Sequence, residues 1–154
     1  MWSAEACFCK ATDFTCFFFF QAARFSAARR SIERACEKAR ITPLQVDLFE
    51  LFDSNSMFAA LSLEAAGFAD PGEGWKLAQS DCIGVGGSLP ISTMGGLKAR
   101  GNPGGATGVY QAVEAVIQLR GQAGINQVPS ARRAMVQSLG GPASTAVTHI
   151  LEAV

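Results

Sequence analysis

Six glycines and one proline fall within the fourteen residues Gly95–Gly108, which read GGLKARGNPGGATG. Glycine permits turns and close backbone approaches that a side chain would block. The stretch runs directly into VYQAVEAVIQLR, which reads as a helix. Asn102 and Pro103 stand near the junction, and asparagine caps helices well while proline is tolerated at a first helical position. A glycine-lined turn aimed from a helix start is suited to binding a carbonyl oxygen or an anion. The other reactive side chains are scattered. Cysteines stand at 7, 9, 16, 36 and 82, and His149 is the only histidine. With an odd thiol count, no C-x-x-C pair and one imidazole, the ligand supply argues against a metal site and for reduced thiols in a cytoplasmic protein.

The elements that must position this loop follow from apolar spacing. Phe25, Ala28, Ile32, Ala35, Cys36 and Ala39 share one face of a helix over residues 22–40. Arg30, Arg34 and Lys38 form a basic row on it, either a patch for an acidic ligand or a solvated face balanced by Glu33 and Glu37. Thr42-Pro43 ends the helix. VDLFELF, from Val46 to Phe52, reads as a strand ending in polar DSNS. Met57–Ala66 is apolar nearly all round, which predicts a buried helix stopped by Gly67. Residues 69–94 are turn-rich, with short strands expected around Ile83 and Leu89–Ser92. The helix after the glycine loop spans about Thr107–Arg120, with Val109, Val113, Val116 and Ile117 as its core face. Ala134–Leu139 and Ala143–Leu151 read as strands joined by the Gly140-Gly141-Pro142 turn. This order predicts one α/β domain with a mixed sheet packed with helices.

The chain has 154 residues, enough to bury a core. Its net charge of zero gives no field to draw it to nucleic acid or an anionic membrane. At 49% hydrophobic and 17% charged residues, the balance tilts toward burial, or toward a surplus apolar surface that belongs to an interface. FTCFFFF, Phe14–Phe20, is far shorter than the roughly 20 residues a membrane span needs. Its acidic flanks do not suit a signal peptide. Residues 1–20 are therefore expected to be an atypical segment, an isolated strand or a poorly ordered tail.

From residue 21 to the end, the chain resembles the C-terminal half of thiolases, in particular the archaeal and sterol-carrier-type members. GG, a spacer, G-N-P and G-A-T-G match the family's GG…G-H-P…G-A-[ST]-G loop. ITPLQVDLFELFDSNSMFAALSLEAAGF, from Ile41, matches the segment bearing the family's His-Asp-x-Phe signature. VQSLGGPASTAVTHILE, from Val136, matches its closing hairpin. The resemblance implies two similar halves that stack their sheets around central helices, so the helix after the glycine loop would meet neighbours from another half.

The resemblance also implies acyl-transfer chemistry on coenzyme A thioesters. Such chemistry needs a nucleophilic cysteine, a proton shuttle and donors for the enolate and tetrahedral oxyanions. The family's nucleophile lies in its N-terminal half, and the early cysteines here are not in its context. In the His-Asp-x-Phe signature this chain has Phe52, Asp53, Ser54 and Asn55. Phenylalanine replaces the histidine, and Ser54 stands where sterol-carrier-type members carry a cysteine acid/base. Asn102 stands for the G-H-P histidine; it keeps a donor but cannot titrate near neutrality. A helix cap is the competing role for Asn102, and a cap or backbone contact is the expected role of Asp53. Ser138 or Gln137 occupies the second-cysteine position of classical members. His149 lies inside the last strand, where packing or exposure accounts for it.

The site expected on this basis is Asn102 as oxyanion contact, with Ser54, Pro103, Gly104 and Ser138 lining an acyl-CoA pocket. No cofactor is implied beyond the coenzyme A thioester as substrate. Three functions follow: a thiolase-like acyltransferase fragment not catalytic alone; a non-catalytic interaction subunit of an acyl-transfer complex, with a protein partner or as a homo-oligomer; or a decaying gene fragment.

Overall fold

A computed structural model describes residues 25–154; the FTCFFFF run and the first three cysteines lie outside them. Helix α1 spans Ser26–Ala39, strand β1 Leu48–Glu50 and helix α2 Ser56–Ala66. The short helices α3 (Lys76–Gln79) and α4 (Gly96–Arg100) precede helix α5, Thr107–Leu119. Strands β2 (Arg133–Gly140) and β3 (Thr145–Glu152) close the chain. The sheet order is β1-β2-β3, with β1 and β2 parallel and β2 and β3 antiparallel, so the sheet is mixed as expected.

Alternation along the strands builds three layers. Phe49 and Met135, both fully buried, face α1 and α2, where they join Ile32, Cys36, Leu63 and Ala66. The intervening residues Leu48, Ala134 and Val136 face α5 and pack on Ala115 and Val128. The side-chain period of two in a strand places these sets on opposite faces. Of the predicted α1 face, Phe25, Ala28, Ile32 and Cys36 are buried, whereas Ala35 is half-buried and Ala39 exposed. Arg30, Arg34 and Lys38 are exposed on α1. α2 is capped by Asn55, whose Oδ1 accepts from Phe58 N at 3.0 Å, and it stops at Gly67 in the left-handed region, φ 83°.

Three expectations need correction. α2 is not buried all round: Ser62, Leu63, Ala65 and Ala66 are, but Met57 is 64% exposed. Its sequence lacks a polar face, yet only one side meets α1 and the sheet. No strand forms around Ile83 or Leu89–Ser92; a single parallel bridge, Phe49 to Ile91, is what that segment contributes. Two left-handed residues there, Asp81 and Ser92, turn the chain too sharply for a strand to continue.

The largest correction concerns α5. Val109 and Val113, expected in the core, are 66% and 51% exposed, while Val116 and Ile117 are half-buried. The face turned to the sheet carries Thr107, Gln111, Glu114, Ala115 and Gln118. Apart from Glu114, which binds the side chain of Arg100, these polar groups are buried with bonds to main-chain atoms. Gln111 Nε2 donates to the carbonyl of Gln137 at 3.0 Å. Gln118 Nε2 donates to Asn126 O at 2.7 Å, and its Oε1 accepts from Val128 N at 2.9 Å. The helix thus has its apolar stripe outward.

Candidate functional site

The glycine stretch folds as a turn, the one-and-a-half-turn helix α4, a second turn and then α5. Gly96, at φ 59°, begins α4, and a β-carbon built there would lie 1.9 Å from Asp53 Oδ2. Only glycine lets the loop approach this carboxylate. Asp53 Oδ1 accepts from Leu97 N at 3.1 Å. Asp53 is therefore a backbone clamp, one of its two expected roles, but it caps α4 rather than the helix that follows it in sequence. That contact joins the strand bearing the signature segment to the glycine loop across 44 residues of sequence.

Asn102 Oδ1 accepts from Gly104 N at 2.9 Å and from the Thr107 hydroxyl at 3.4 Å. It thereby holds the first N–H of the single 3-10 turn Gly104–Ala106 that leads into α5, and Pro103 is the residue at the start of that turn. Among the described residues, Asn102 Nδ2 has no acceptor. The cap takes the oxygen and leaves the amide donor open, so the two roles weighed for Asn102 are compatible.

Asn102 lines two cavities. One, of about 470 Å³, is also lined by Phe52, Gly104, Gly105, Ser138 and the β2–β3 turn. The other, of about 740 Å³, is also lined by Asp53, Ser54, Ser92, Gly95 and Lys98. The structure thus places Ser54 on one side of Asn102 and Ser138 on the other. Gly108 opens α5 so close to β2 that an added β-carbon would lie 3.2 Å from Ser138 Cβ. Pro103 is exposed and lines neither cavity. A larger cavity, about 970 Å³, lies instead beside α1 and α2, lined by Arg29, Met57, Leu61 and Trp75, and is not lined by Asn102, Ser54 or Ser138.

Phe52 is held in an aromatic trio: its ring lies 6.2 Å from Phe58, and Phe58 lies 5.0 Å from Phe25, both edge to face. The side chain at the first signature position therefore packs rather than reacts. Neither cavity is lined by a thiol or an imidazole among the described residues. Cys36 is buried, which pushes its thiol above the usual range. Cys82, in the loop after α3, accepts a hydrogen bond from the Ser80 hydroxyl at 3.1 Å, which lowers its thiol. His149 is exposed on β3 opposite Val136. Among the described residues, no group of three metal-binding side chains converges, and no helix is long and apolar enough to cross a membrane.

A cluster that the sequence did not reveal lies between β1 and α5. Glu50 is 1% exposed. Its Oε1 accepts from Thr93 N at 3.0 Å and from the Thr93 hydroxyl at 2.8 Å. Burial is the main cause that pushes its carboxyl up to about 7, against the pull of Thr93 and with a push from Glu114. Glu114 faces it and binds Arg100 Nη1 through both oxygens at 2.9 and 3.0 Å. Burial raises Glu114 as well, and Arg100 opposes the rise. The only sequence signal was an acid inside an apolar strand run.

Comparison with known proteins agrees with this architecture. A family model described as thiolase C-terminal domain-like matches residues 19–153. The acetyl-CoA acetyltransferase of Methanothermobacter thermautotrophicus is 41% identical over 127 residues, which is 82% of this chain and 33% of that protein. Sterol carrier protein 2 of Homo sapiens is 37% identical over 124 residues, 80% of this chain and 23% of that protein. The solved Ltp2-ChsH2(DUF35) aldolase superposes with a TM-score of 0.71 over 82% of this chain and 31% of that one, at 24% identity, a likeness of fold. The chain thus spans a third or less of the length of the curated relatives it matches. With the glycine loop, the Asp53 clamp and the closing hairpin in place, the chain belongs to the thiolase C-terminal domain-like family.

Proposed function

We propose that this chain supplies the oxyanion-holding half of a thiolase-type acyltransferase site for coenzyme A thioesters, with no proton shuttle among its described residues. The observation that carries the reading is Asn102, whose cap uses only its oxygen and leaves Nδ2 free where two cavities meet. A preorganised amide donor can stabilise charge on a thioester oxygen without titrating. Ser54 and Ser138 line the flanks, and Gly104 leaves the approach open. The carbon–carbon step itself needs a thiolate and an acid/base, which must come from a nucleophile-bearing half, wherever it is encoded.

The outward stripe of α5 supports a second component of the reading, a protein partner. Val109, Tyr110 and Val113 are 66%, 48% and 51% exposed along one face. An apolar helix face gains free energy when covered, at about 25 cal/mol per Å² removed from water. That the matched segment makes up a third or less of the relatives' length is consistent with a covering half in them. The non-catalytic subunit reading shares this surface and differs in whether a thioester binds.

Purified chain is expected to show no acetoacetyl-CoA thiolysis or condensation by itself, and to elute from gel filtration as an oligomer or with a bound protein. Turnover by the isolated chain would overturn the claim that it supplies only half of the site. A stable monomer would overturn the partner component. Cooperative unfolding would set aside the decayed-fragment reading.

A further inference from the structure

The cluster between β1 and α5 sets the buried Glu50 carboxyl against Glu114, whose own cation is Arg100. Glu50 Oε1 is fully used by Thr93, whereas Oε2 is buried with no partner that can donate to it. A buried carboxylate oxygen facing a second carboxylate is an expensive arrangement if both are ionised. The groups around Glu50 offer no second cation. Glu114 on α5 faces it, Arg100 at the end of α4 gives Nη1 to Glu114 while its buried Nε has no partner, and Asp53 after β1 adds a further negative charge that acts on Glu114. Gln111 of α5, which donates to the carbonyls of Glu50 and Gln137, is neutral.

We propose that Glu50 is a carboxylic acid in the native protein and donates its proton from Oε2 to Glu114, so that one shared proton fastens β1 to α5. Every oxygen in the pair is then matched: Oε1 to Thr93, Oε2–H to Glu114, and Glu114 also to Arg100. The bond matters to the glycine loop because Arg100 ends α4 two residues before Asn102 in sequence. Glu50 is in this sense a positioning residue that acts through Glu114 and Arg100. The inference stands apart from the thioester reading and would survive its failure.

The sign of the pH dependence follows. A carboxyl raised in the folded state from 4.5 to about 7 gives stability fully present below about 4.5 and lost as pH rises toward 7. The unfolding constant then rises with pH through that window by a factor on the order of a hundred from this pair alone. Glu50→Gln keeps an acceptor for Thr93 and offers Glu114 an amide donor, so it mimics the protonated acid at every pH.

The test is a carbon-13 titration of the glutamate side-chain carboxyls of the whole chain, wild type and Glu50→Gln, alongside unfolding at each pH. The proposal expects one carboxyl signal that titrates near neutrality in the wild type and is absent from the variant. It also expects the variant to lose the corresponding fall in stability, which a merely space-filling role for Glu50 would not produce. If every wild-type glutamate titrates in the ordinary range, or the near-neutral titration persists in Glu50→Gln, the shared proton is not there. Should the variant fail to fold, the wild-type titration decides alone.

Discussion

Gly96→Ala is expected to destabilise the chain by about 2–4 kcal/mol, as the sum of left-handed backbone strain and a lost charge-assisted hydrogen bond. The new β-carbon would lie 1.9 Å from Asp53 Oδ2, at a residue whose φ is 59°. The carboxylate can swing aside, but it then surrenders Leu97 N, which it holds at 3.1 Å. Two costs of different origin are therefore combined, and a double-mutant cycle separates them. In an Asp53→Ala background the clamp is already gone, so Gly96→Ala should cost only the strain part, about 1 kcal/mol. Denaturant unfolding of the four proteins measures this. An equal cost in both backgrounds would mean that Asp53 does not hold the glycine loop.

Arg100→Met is expected to cost about 3 kcal/mol near pH 8, because it leaves a buried carboxylate without its cation. Side-chain exposures are 14% for Arg100 and 10% for Glu114, so solvent cannot take over. The cost should shrink toward pH 5. Without Arg100 the lowering influence on Glu114 is gone, its carboxyl rises further, and proton uptake relieves the buried charge. A carboxyl raised in the folded state contributes stability at low pH and loses it as pH rises. At pH 8 the melting temperature should fall by roughly 6–12 °C. A cost that is the same at pH 5 and pH 8 would refute the electrostatic account and leave only lost packing, including the contact of Arg100 with the Tyr110 ring, 5.7 Å away.

The sequence announced local features and hid long-range ones. α1 was readable because Ala28, Ile32 and Cys36 fall on one helical face and that face is the buried one. The hairpin was readable because Gly140-Gly141-Pro142 breaks two apolar runs, and β2 and β3 pair across that turn. α5 was found within a residue of its ends but turned the wrong way. Periodicity reveals that a helix has an apolar stripe, not what covers it. Its buried glutamines were invisible because their partners, such as the carbonyl of Gln137, are 26 residues away.

The site was partly legible for the same reason. Asn102 as a cap follows from its neighbours in the chain. That its oxygen alone is used, and that Ser54 and Ser138 flank it, depends on loops brought together from three parts of the sequence. Glu50 gave no usable signal, since Thr93 lies 43 residues on and Glu114 further still. Phe52 reads as a lost imidazole in the motif; its packing on Phe58 is a property of the fold.

The open amide of Asn102 is best tested by titrating acetoacetyl-CoA into the purified chain and its Asn102→Asp variant. Aspartate keeps the oxygen that caps Gly104 and Thr107 but has no donor to offer the thioester. The wild-type chain should bind, and the variant should bind about tenfold or more weakly with its unfolding curve little changed. Equal affinity in the two proteins, or no binding by either, would contradict an oxyanion-holding role for this half.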